Sequence, residues 1–153
     1  MKIDLTPIQK LADSVVELYR KQLEDGGVNA SGRLSDSAKA IVEFNDNRLM
    51  ISLELEDYWK YVEYGRKPGK QPPIGSIVDW IKIKPIIPEP INGKIPDTKQ
   101  LAFMIARKIG REGIEGKHVI NKTVYTNEME SIINDIKKEI MNQLKQQFIN
   151  EWN

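Results

Sequence analysis

Residues 40–55 constrain the fold of this chain more than any other segment, because apolar and polar side chains alternate there over two consecutive stretches. Such alternation is typical of β-strands that have one covered face. The sequence Asn45-Asp46-Asn47 separates the two stretches, and Asn and Asp tolerate the positive φ angles of a tight turn. We therefore predict an antiparallel hairpin over about residues 40–56, with its second face at least partly exposed to solvent.

A helix is predicted on the amino-terminal side of this hairpin. Apolar residues recur at helical spacing over residues 7–25, and a Gly-Gly pair follows as a stop signal. Pro7 occupies the first helical position, where proline is favoured. Thr6 and Gln9 have the spacing of a capping box, so we expect their side chains to cap this helix.

A longer helix is predicted on the carboxyl-terminal side, over residues 127–152. Asn127 and Glu130 supply its cap signal, and one apolar stripe continues along almost its whole length. The stripe consists of Met129, Ile133, Ile136, Ile140, Leu144, Phe148 and Trp152. We expect it to pack on the protein's own sheet, because the helix over residues 7–25 alone covers a sheet poorly.

The segments between these elements are shorter. Residues 28–38 are small and polar and predict a loop with at most a short helical turn. Residues 74–83 have the spacing of a short helix. Residues 84–96 contain four prolines, which exclude a regular element and predict an extended loop that follows the surface or reaches a neighbour.

A further helix is predicted after this loop. Asp97 and Gln100 have capping-box spacing, and Gly110 or Gly113 supplies the stop signal. Residues 118–125 fit either a strand or the entry to the last helix.

Together these patterns predict an α+β fold. A small antiparallel sheet, made of the hairpin and one or two further strands, is flanked by the N-terminal helix, short helices and the long C-terminal helix. A chain of 153 residues without internal repeats fits one core, so we predict a single domain over residues 1–153. The helix over residues 127–152 is expected to pack on it.

Side chains that carry catalysis or bind metals are scarce. The chain has no cysteine and only one histidine, His118, which excludes thiolate zinc sites and histidine pairs. Residues 65–70 are rich in Gly and Lys but lack the Ser or Thr of a phosphate-binding loop. We predict no enzymatic activity, no metal and no cofactor. No apolar run approaches the ~20 residues of a membrane-spanning helix, so no membrane contact is predicted.

The net charge of +1 conceals an uneven distribution of charge along the chain. Between residues 60 and 84, six basic residues are set against two acidic ones, and between residues 104 and 122 five are set against two. A surface with segregated charge favours contact with a phosphate backbone or an acidic partner. Solvated loop and helix faces explain the same counts, and the sequence leaves both explanations open.

Aromatic side chains are concentrated just before the first basic segment. Tyr58, Trp59, Tyr61 and Tyr64 fall within seven residues. Some of them are expected to fill the core beneath the sheet. Not all four side chains can point inward, so we predict that at least one meets a partner subunit, since Tyr and Trp are enriched at interfaces.

Four pieces of sequence follow one another over about residues 26–125. The first is a Gly-Arg-Leu-x-x-Ser segment (Gly32 to Ser37), and the second is a hairpin that ends in an acidic residue, Asp57. The third is a block from Tyr58 to Gly65 that contains Tyr61-Val62-Glu63-Tyr64-Gly65 and precedes a basic Pro-containing loop. The fourth is a short helix with Trp80-Ile81, followed by residues Leu101 to Ile109 and Gly113-Ile114. In this order and spacing the chain resembles the tail-completion proteins of tailed bacteriophages, also described as neck or minor tail components. Members commonly continue with a Pro-Phe-Leu-like segment, where this chain has Gly-Lys-His-Val-Ile at residues 116–120.

The resemblance implies an α+β structural protein without a cofactor, present in the virion at the neck or tail and made in the host cytoplasm. It implies a ring of about six or twelve copies, joined to other connector or tail proteins around the DNA channel. We predict that partner contacts involve Tyr58, Trp59, Tyr61, Glu63, Tyr64, Pro85, Pro88 and Pro90. As a hypothesis, Arg66, Lys67 and Lys70 face the packaged DNA and contact its phosphates without reading bases.

Two alternatives stand beside this function. The basic segments also suit a small cytoplasmic nucleic-acid-binding protein. The amphipathic helix over residues 127–152 also suits an adaptor that docks on another protein.

Overall fold

The structure, a computed structural model, describes residues 2–28, 31–84 and 86–152, and the predicted α+β fold is confirmed. The described residues form helices and one antiparallel hairpin, and a second, very short strand pair is separate from that hairpin. In chain order the elements are α1 (Thr6–Asp25), α2 (Arg33–Ser37), β1 (Lys39–Asn45), β2 (Arg48–Glu54), α3 (Trp59–Tyr64), β3 (Gly65–Arg66), α4 (Ile74–Ile83), α5 (Thr98–Glu112), β4 (Ile114–Glu115), α6 (Val119–Val124) and α7 (Asn127–Trp152).

The predicted hairpin is formed by β1 and β2, in register from Lys39 opposite Glu54 to Asn45 opposite Arg48. Asp46 and Asn47 make the turn with φ values of 49° and 58°, the geometry of a two-residue type I′ turn. The prediction of further strands in the same sheet is wrong for the described residues, because the hairpin has only its two strands and β3 pairs with β4 separately.

Helix α1 forms as predicted, but its predicted capping box does not. The N-cap residue is Leu5, and the Asp4 carboxylate accepts a hydrogen bond of 2.9 Å from the Thr6 backbone N–H. The Gln9 side chain instead donates to the Ala40 carbonyl of β1 at 2.8 Å. A tertiary contact between helix and hairpin has thus replaced the local cap.

The core is centred on α1, which packs against β1, α2, α6 and α7. Its buried cluster contains Val16, Tyr19, Leu23, Leu34, Ala38 and Val119. Tyr19 is the largest of these buried side chains and is 1% exposed. The half-buried residues packed against this cluster come from both strands, from the start of α3 and from α6.

Residues 118–125, which the sequence left open between strand and helix, form the short helix α6. His118 precedes it in the left-handed conformation, with φ of 52°. The long helix α7 follows, and its cap differs from the prediction. The Thr126 hydroxyl, rather than Asn127 or Glu130, accepts the Met129 backbone N–H at 3.1 Å.

The apolar stripe of α7 is only partly covered. Met129 and Ile136 are buried, whereas Phe148 and Trp152 are 67% and 82% exposed. The expectation that the stripe packs on the protein's own sheet is therefore wrong, because its buried part packs chiefly on α1 and its carboxyl-terminal part is exposed. The physical reason is length, because α7 has 26 residues and its principal helical partner α1 has 20.

Helices α4 and α5 pack against each other and are joined by the proline-containing loop. The predicted capping box of α5 is present, with the Asp97 carboxylate accepting the Gln100 N–H at 2.8 Å. Gly113 ends α5 with φ of 77°. Within the described part of the loop, Ile91 and Lys94 form an isolated antiparallel bridge across a tight turn.

The position of Tyr19 predicts how stability depends on alkaline pH. The pKa of its hydroxyl is raised from 10.0 to about 12, first by burial and then by the charge of Glu63 and by Tyr58. The unfolded chain therefore loses this proton at lower pH than the folded protein. The contribution of Tyr19 to the free energy of unfolding is complete below pH 10. It falls by about 2 kcal/mol as the pH rises to about 12.

This dependence is measured by urea unfolding of the wild type and of Tyr19→Phe at several pH values from 8 to about 11.5. We expect the stability difference between the two proteins to shift in favour of Tyr19→Phe as the pH rises. A difference that stays constant over this range contradicts the raised pKa.

Candidate assembly surface

The sequence that carries the family resemblance lies at a crossing of two chain segments. Residues 62–66 run beside residues 113–121, which are about fifty positions later in the chain. Strand β3 pairs with β4 through Gly65 opposite Glu115 and Arg66 opposite Ile114. Backbone hydrogen bonds continue beyond the strands, from the Lys117 N–H to the Val62 carbonyl (2.8 Å) and from the His118 N–H to the Glu63 carbonyl (3.2 Å).

Three glycines allow the two backbones to approach so closely. A Cβ atom on Gly116 would lie 2.3 Å from the Glu63 carbonyl oxygen. On Gly65 it would lie 2.1 Å from the Ile114 carbonyl oxygen, and on Gly113 it would lie 2.2 Å from that of Arg66. These neighbours are backbone atoms, which cannot rotate away as a side chain can. The crossing therefore requires glycine at all three positions.

Glu63 is buried beneath this crossing and caps α6. Its carboxylate accepts hydrogen bonds from the Ile120 N–H (2.7 Å) and the Asn121 N–H (3.2 Å) in the first turn of that helix. A negative charge at a helix amino terminus is favourable, and so is satisfying backbone donors that have no partner within the helix. The prediction that Glu63 contacts a partner is thus corrected, because its side chain is 5% exposed and is used inside the subunit.

The aromatic residues divide into an inner and an outer pair. Tyr58 and Trp59 are half-buried against the core, and the Arg33 guanidinium lies over the Tyr58 ring at 6.0 Å. Tyr61 and Tyr64 are 65% and 70% exposed. The Tyr64 ring also contacts the Trp59 ring, with 6.2 Å between centroids and a tilt of 53°. The outer tyrosines are therefore presented to solvent from a short helix that is fixed from within.

The predicted proline contacts lie in a different element. Pro88 is half-buried and Pro90 is exposed in the loop between α4 and α5, while Pro85 lies outside the described residues. The sequence grouped these prolines with the α3 aromatics as one contact set. In the fold Pro88 and Pro90 lie in the loop of the α4–α5 hairpin, which is a surface separate from the α3 aromatics.

The basic loop that follows β3 is held against the end of α5. The Gly69 N–H donates to the Gly110 carbonyl at 2.8 Å, and the Arg66 guanidinium donates to the Lys70 carbonyl. Lys67 and Lys70 are exposed. Within the part of the chain that the structure describes, no acidic side chain pairs with Arg66, Lys67 or Lys70.

This loop brings together the two basic segments that are separate in the sequence. Arg107 and Arg111 are four positions apart on α5, on the helix side that also carries Gly110, and both are exposed. Residues 60–71 and 104–122 together contain nine basic residues and three acidic ones, and one of the acidic residues is the buried Glu63. The rest of the chain has a net negative charge, so positive charge is concentrated around this crossing.

No group that would support metal chemistry was found on the described residues, where no three His, Cys, Asp or Glu side chains lie together. The same residues contain no helix that is both long and apolar enough to cross a membrane.

Sequence reasoning missed two features of this molecule. One is the capping of α6 by Glu63, because the two are more than fifty positions apart in the sequence and no local pattern links them. The other is an apolar groove of about 640 Å³ between α5 and the proline-containing loop. The clustering of isoleucines among the prolines of residues 84–96 was the available sign of it.

Comparison of the chain with protein-family models, with curated proteins and with solved structures gave no match. The resemblance to tail-completion proteins thus remains a prediction from the sequence.

The crossing generates a prediction about Gly116. We expect Gly116→Ala to destabilise the protein by about 3 kcal/mol or more, because the new methyl group overlaps the Glu63 carbonyl oxygen. Urea unfolding measures the change.

Gly75→Ala is the matched control, because no atom lies within 4 Å of a Cβ at that position in α4. The control should be neutral or stabilising by about 0.5–1 kcal/mol, as alanine favours helix. Equal effects of the two substitutions would contradict the crossing.

Proposed function

We propose that this protein is a non-enzymatic structural component of a tailed-phage virion. In this proposal it forms part of a ring in the neck, head–tail connector or tail-completion region, and it joins neighbouring rings around the DNA channel. The proposal begins from the sequence resemblance over about residues 26–125. It is consistent with the exposed tyrosines and the exposed lysines that lie close to the crossing.

The observation that carries the proposal is the crossing of residues 62–66 and 113–121. The Tyr61-Val62-Glu63-Tyr64-Gly65 block and the Gly113-Ile114 segment resemble the family at positions about fifty residues apart. In the fold these two segments pair directly. Two pieces of sequence that resemble the family separately are thus paired in the fold, which supports the resemblance.

The crossing also suits assembly. A ring closes only when each subunit contacts the next at a fixed angle, so the contacting residues must be held firmly. Tyr61 and Tyr64 project from a helix anchored on one side by Tyr58 and Trp59 and on the other by the crossing. Tyrosine gives a large contact area at a small cost in conformational entropy, because it has few rotatable bonds.

The concentration of basic residues supports contact with DNA within the same assembly. Arg66, Lys67 and Lys70 lie on an anchored loop and are not ion-paired with any described acidic side chain. Such residues attract phosphates without reading base sequence. The same surface also supports the second candidate, a small nucleic-acid-binding protein, which would bind DNA without assembling. The exposed end of α7 likewise supports an adaptor role.

The function is tested by the mass of the purified protein in solution and by its presence in virions. We expect the wild type to form a defined oligomer or to be incorporated into virions at fixed stoichiometry. The double substitution Tyr61→Ser with Tyr64→Ser should reduce incorporation into virions at least about tenfold, since tyrosines that become buried at an interface often contribute 2 kcal/mol or more.

Tyr125→Ser is the matched control, because Tyr125 is also highly exposed but lies after α6. It should assemble and be incorporated as the wild type is. A wild-type protein that is strictly monomeric and absent from virions would contradict the proposed function. Wild-type behaviour of the double variant in both measurements would contradict the role of the tyrosines alone.

The basic loop gives a separate prediction. Replacing Arg66, Lys67 and Lys70 by Gln should weaken binding to double-stranded DNA. It should also make the slope of log K against log salt less steep by about 2 to 3, because fewer counterions are released when fewer phosphates are contacted. Fluorescence anisotropy at several salt concentrations measures both changes.

A control variant with the same loss of charge carries Gln at Lys10, Lys21 and Lys39, which are exposed on α1 and β1. It should retain nearly all of the wild-type salt dependence. Equal losses in the two variants would show that net charge alone determines binding, and would exclude a dedicated role for the loop.

A further inference from the structure

The carboxyl-terminal part of α7 presents an apolar stripe to solvent. Leu144, Phe148 and Trp152 are spaced four residues apart and therefore lie on one side of the helix. Leu144 is half-buried, whereas Phe148 and Trp152 are largely exposed. An amphipathic helix that docks in a groove on another protein uses anchors with this spacing.

A groove with matching chemistry lies on the α4–α5 hairpin. It has a volume of about 640 Å³ and an open, mostly apolar lining. Its lining residues include Ile74, Ile91, Ile95, Phe103 and Met104, all of which are partly exposed. Large apolar side chains that remain exposed together in this way commonly mark an interaction site.

The stripe and the groove are attached to opposite ends of α1. At its amino end, the Gln143 side chain of α7 exchanges two hydrogen bonds with the Asp4 backbone, at 2.8 and 3.0 Å. At its carboxyl end, the Lys84 ammonium group, which follows α4, donates to the Gly27 carbonyl at 2.8 Å. Helix α1 has 20 residues and a length of about 30 Å. One copy therefore holds the two surfaces apart.

The charges at the two surfaces are complementary. Lys94 and Lys99 line the groove, and its lining contains no acidic residue among those the structure describes. Glu151 lies between Phe148 and Trp152 and on their side of the helix, three residues after the former. The nearest basic residue on the stripe, Lys145, lies closer to the body of the protein. Docking of the helix end would thus bring Glu151 towards the two lysines.

We propose that the stripe at the end of α7 of one copy docks in the α4–α5 groove of a second copy of this chain. The proposal rests on the proposed function as an assembly protein and names the surfaces through which copies join. The contact is heterologous, because different surfaces of the two copies meet, and such contacts form closed rings when the rotation between copies divides the circle.

Two substituted proteins test this contact, each lacking one side of it. The helix variant carries Phe148→Ser and Trp152→Ser, and the groove variant carries Ile95→Asp and Phe103→Ser. Analytical ultracentrifugation measures association up to roughly 100 µM, well above a micromolar Kd. We expect the wild type to associate, and each variant alone to associate at least about a hundredfold more weakly, because interface aromatics dominate binding energy.

Mixing the two variants gives the decisive measurement. The helix variant retains an intact groove and the groove variant retains an intact helix end, so the mixture should form a one-to-one dimer and nothing larger. A symmetric contact between two helix ends would instead leave the groove variant able to dimerise alone. A symmetric contact between two grooves would leave the helix variant able to do so. Either result, or a monomeric wild type, overturns the proposal.

Further controls exclude misfolding as the cause. Both variants should keep the wild-type circular dichroism spectrum, and Ile95→Asp alone serves if the double groove variant does not fold, since Ile95 is 70% exposed. A control with Met50→Ser and Tyr125→Ser removes exposed apolar side chains from other surfaces and should associate normally.

Cysteine cross-linking gives an independent measurement, because the chain has no cysteine of its own. Lys99→Cys and Glu151→Cys, which leave the apolar anchors in place, should form a disulfide-linked dimer when they are carried by separate copies and mixed under mild oxidation. Met50→Cys mixed with Glu151→Cys should not.

The outcomes separate this inference from the proposed function. A wild type that is incorporated into virions, together with variants that assemble normally, overturns the docking contact and leaves the function standing. A wild type that associates through this contact but is absent from virions contradicts the function and supports the contact.

Discussion

The crossing of residues 62–66 with residues 113–121 is the constraint on which the rest of this structure depends. Glycines let the two backbones touch, and the buried Glu63 carboxylate then reaches the first turn of α6. That one segment orients three things: the aromatic helix α3 before it, the basic loop after it, and the helix α6 that packs on α1. Without the crossing, α3 would be held to the core only by the packing of Tyr58, Trp59 and Val62.

Much of the fold was predictable because its signals are local. The type I′ turn needs two residues that tolerate positive φ, and Asp46 and Asn47 meet that need within the turn itself. The capping box of α5 likewise involves only Asp97 and Gln100. In both cases the residues that form the turn or the cap are neighbours in the sequence, so the sequence pattern alone predicts the local structure.

The features that escaped prediction depend on partners far along the chain. Gln9 has the spacing of a local cap but pairs with Ala40 across the helix–hairpin contact. Glu63 lies in a segment full of exposed residues and is buried by a helix that begins more than fifty positions later. The stripe of α7 predicts which side of the helix is apolar, but it does not predict that α1 is too short to cover all of that side. The exposed helix end and the groove on the α4–α5 hairpin follow from such long-range facts.

The pairing of β3 with β4 also places the two ends of residues 67–113 side by side. The chain leaves the body at Arg66 and returns at Ile114, directly opposite. Segments whose ends are adjacent tolerate changes in length, because a change within the segment need not move its ends. The exposed loop between α4 and α5 can therefore be lengthened or shortened without moving Arg66 or Ile114.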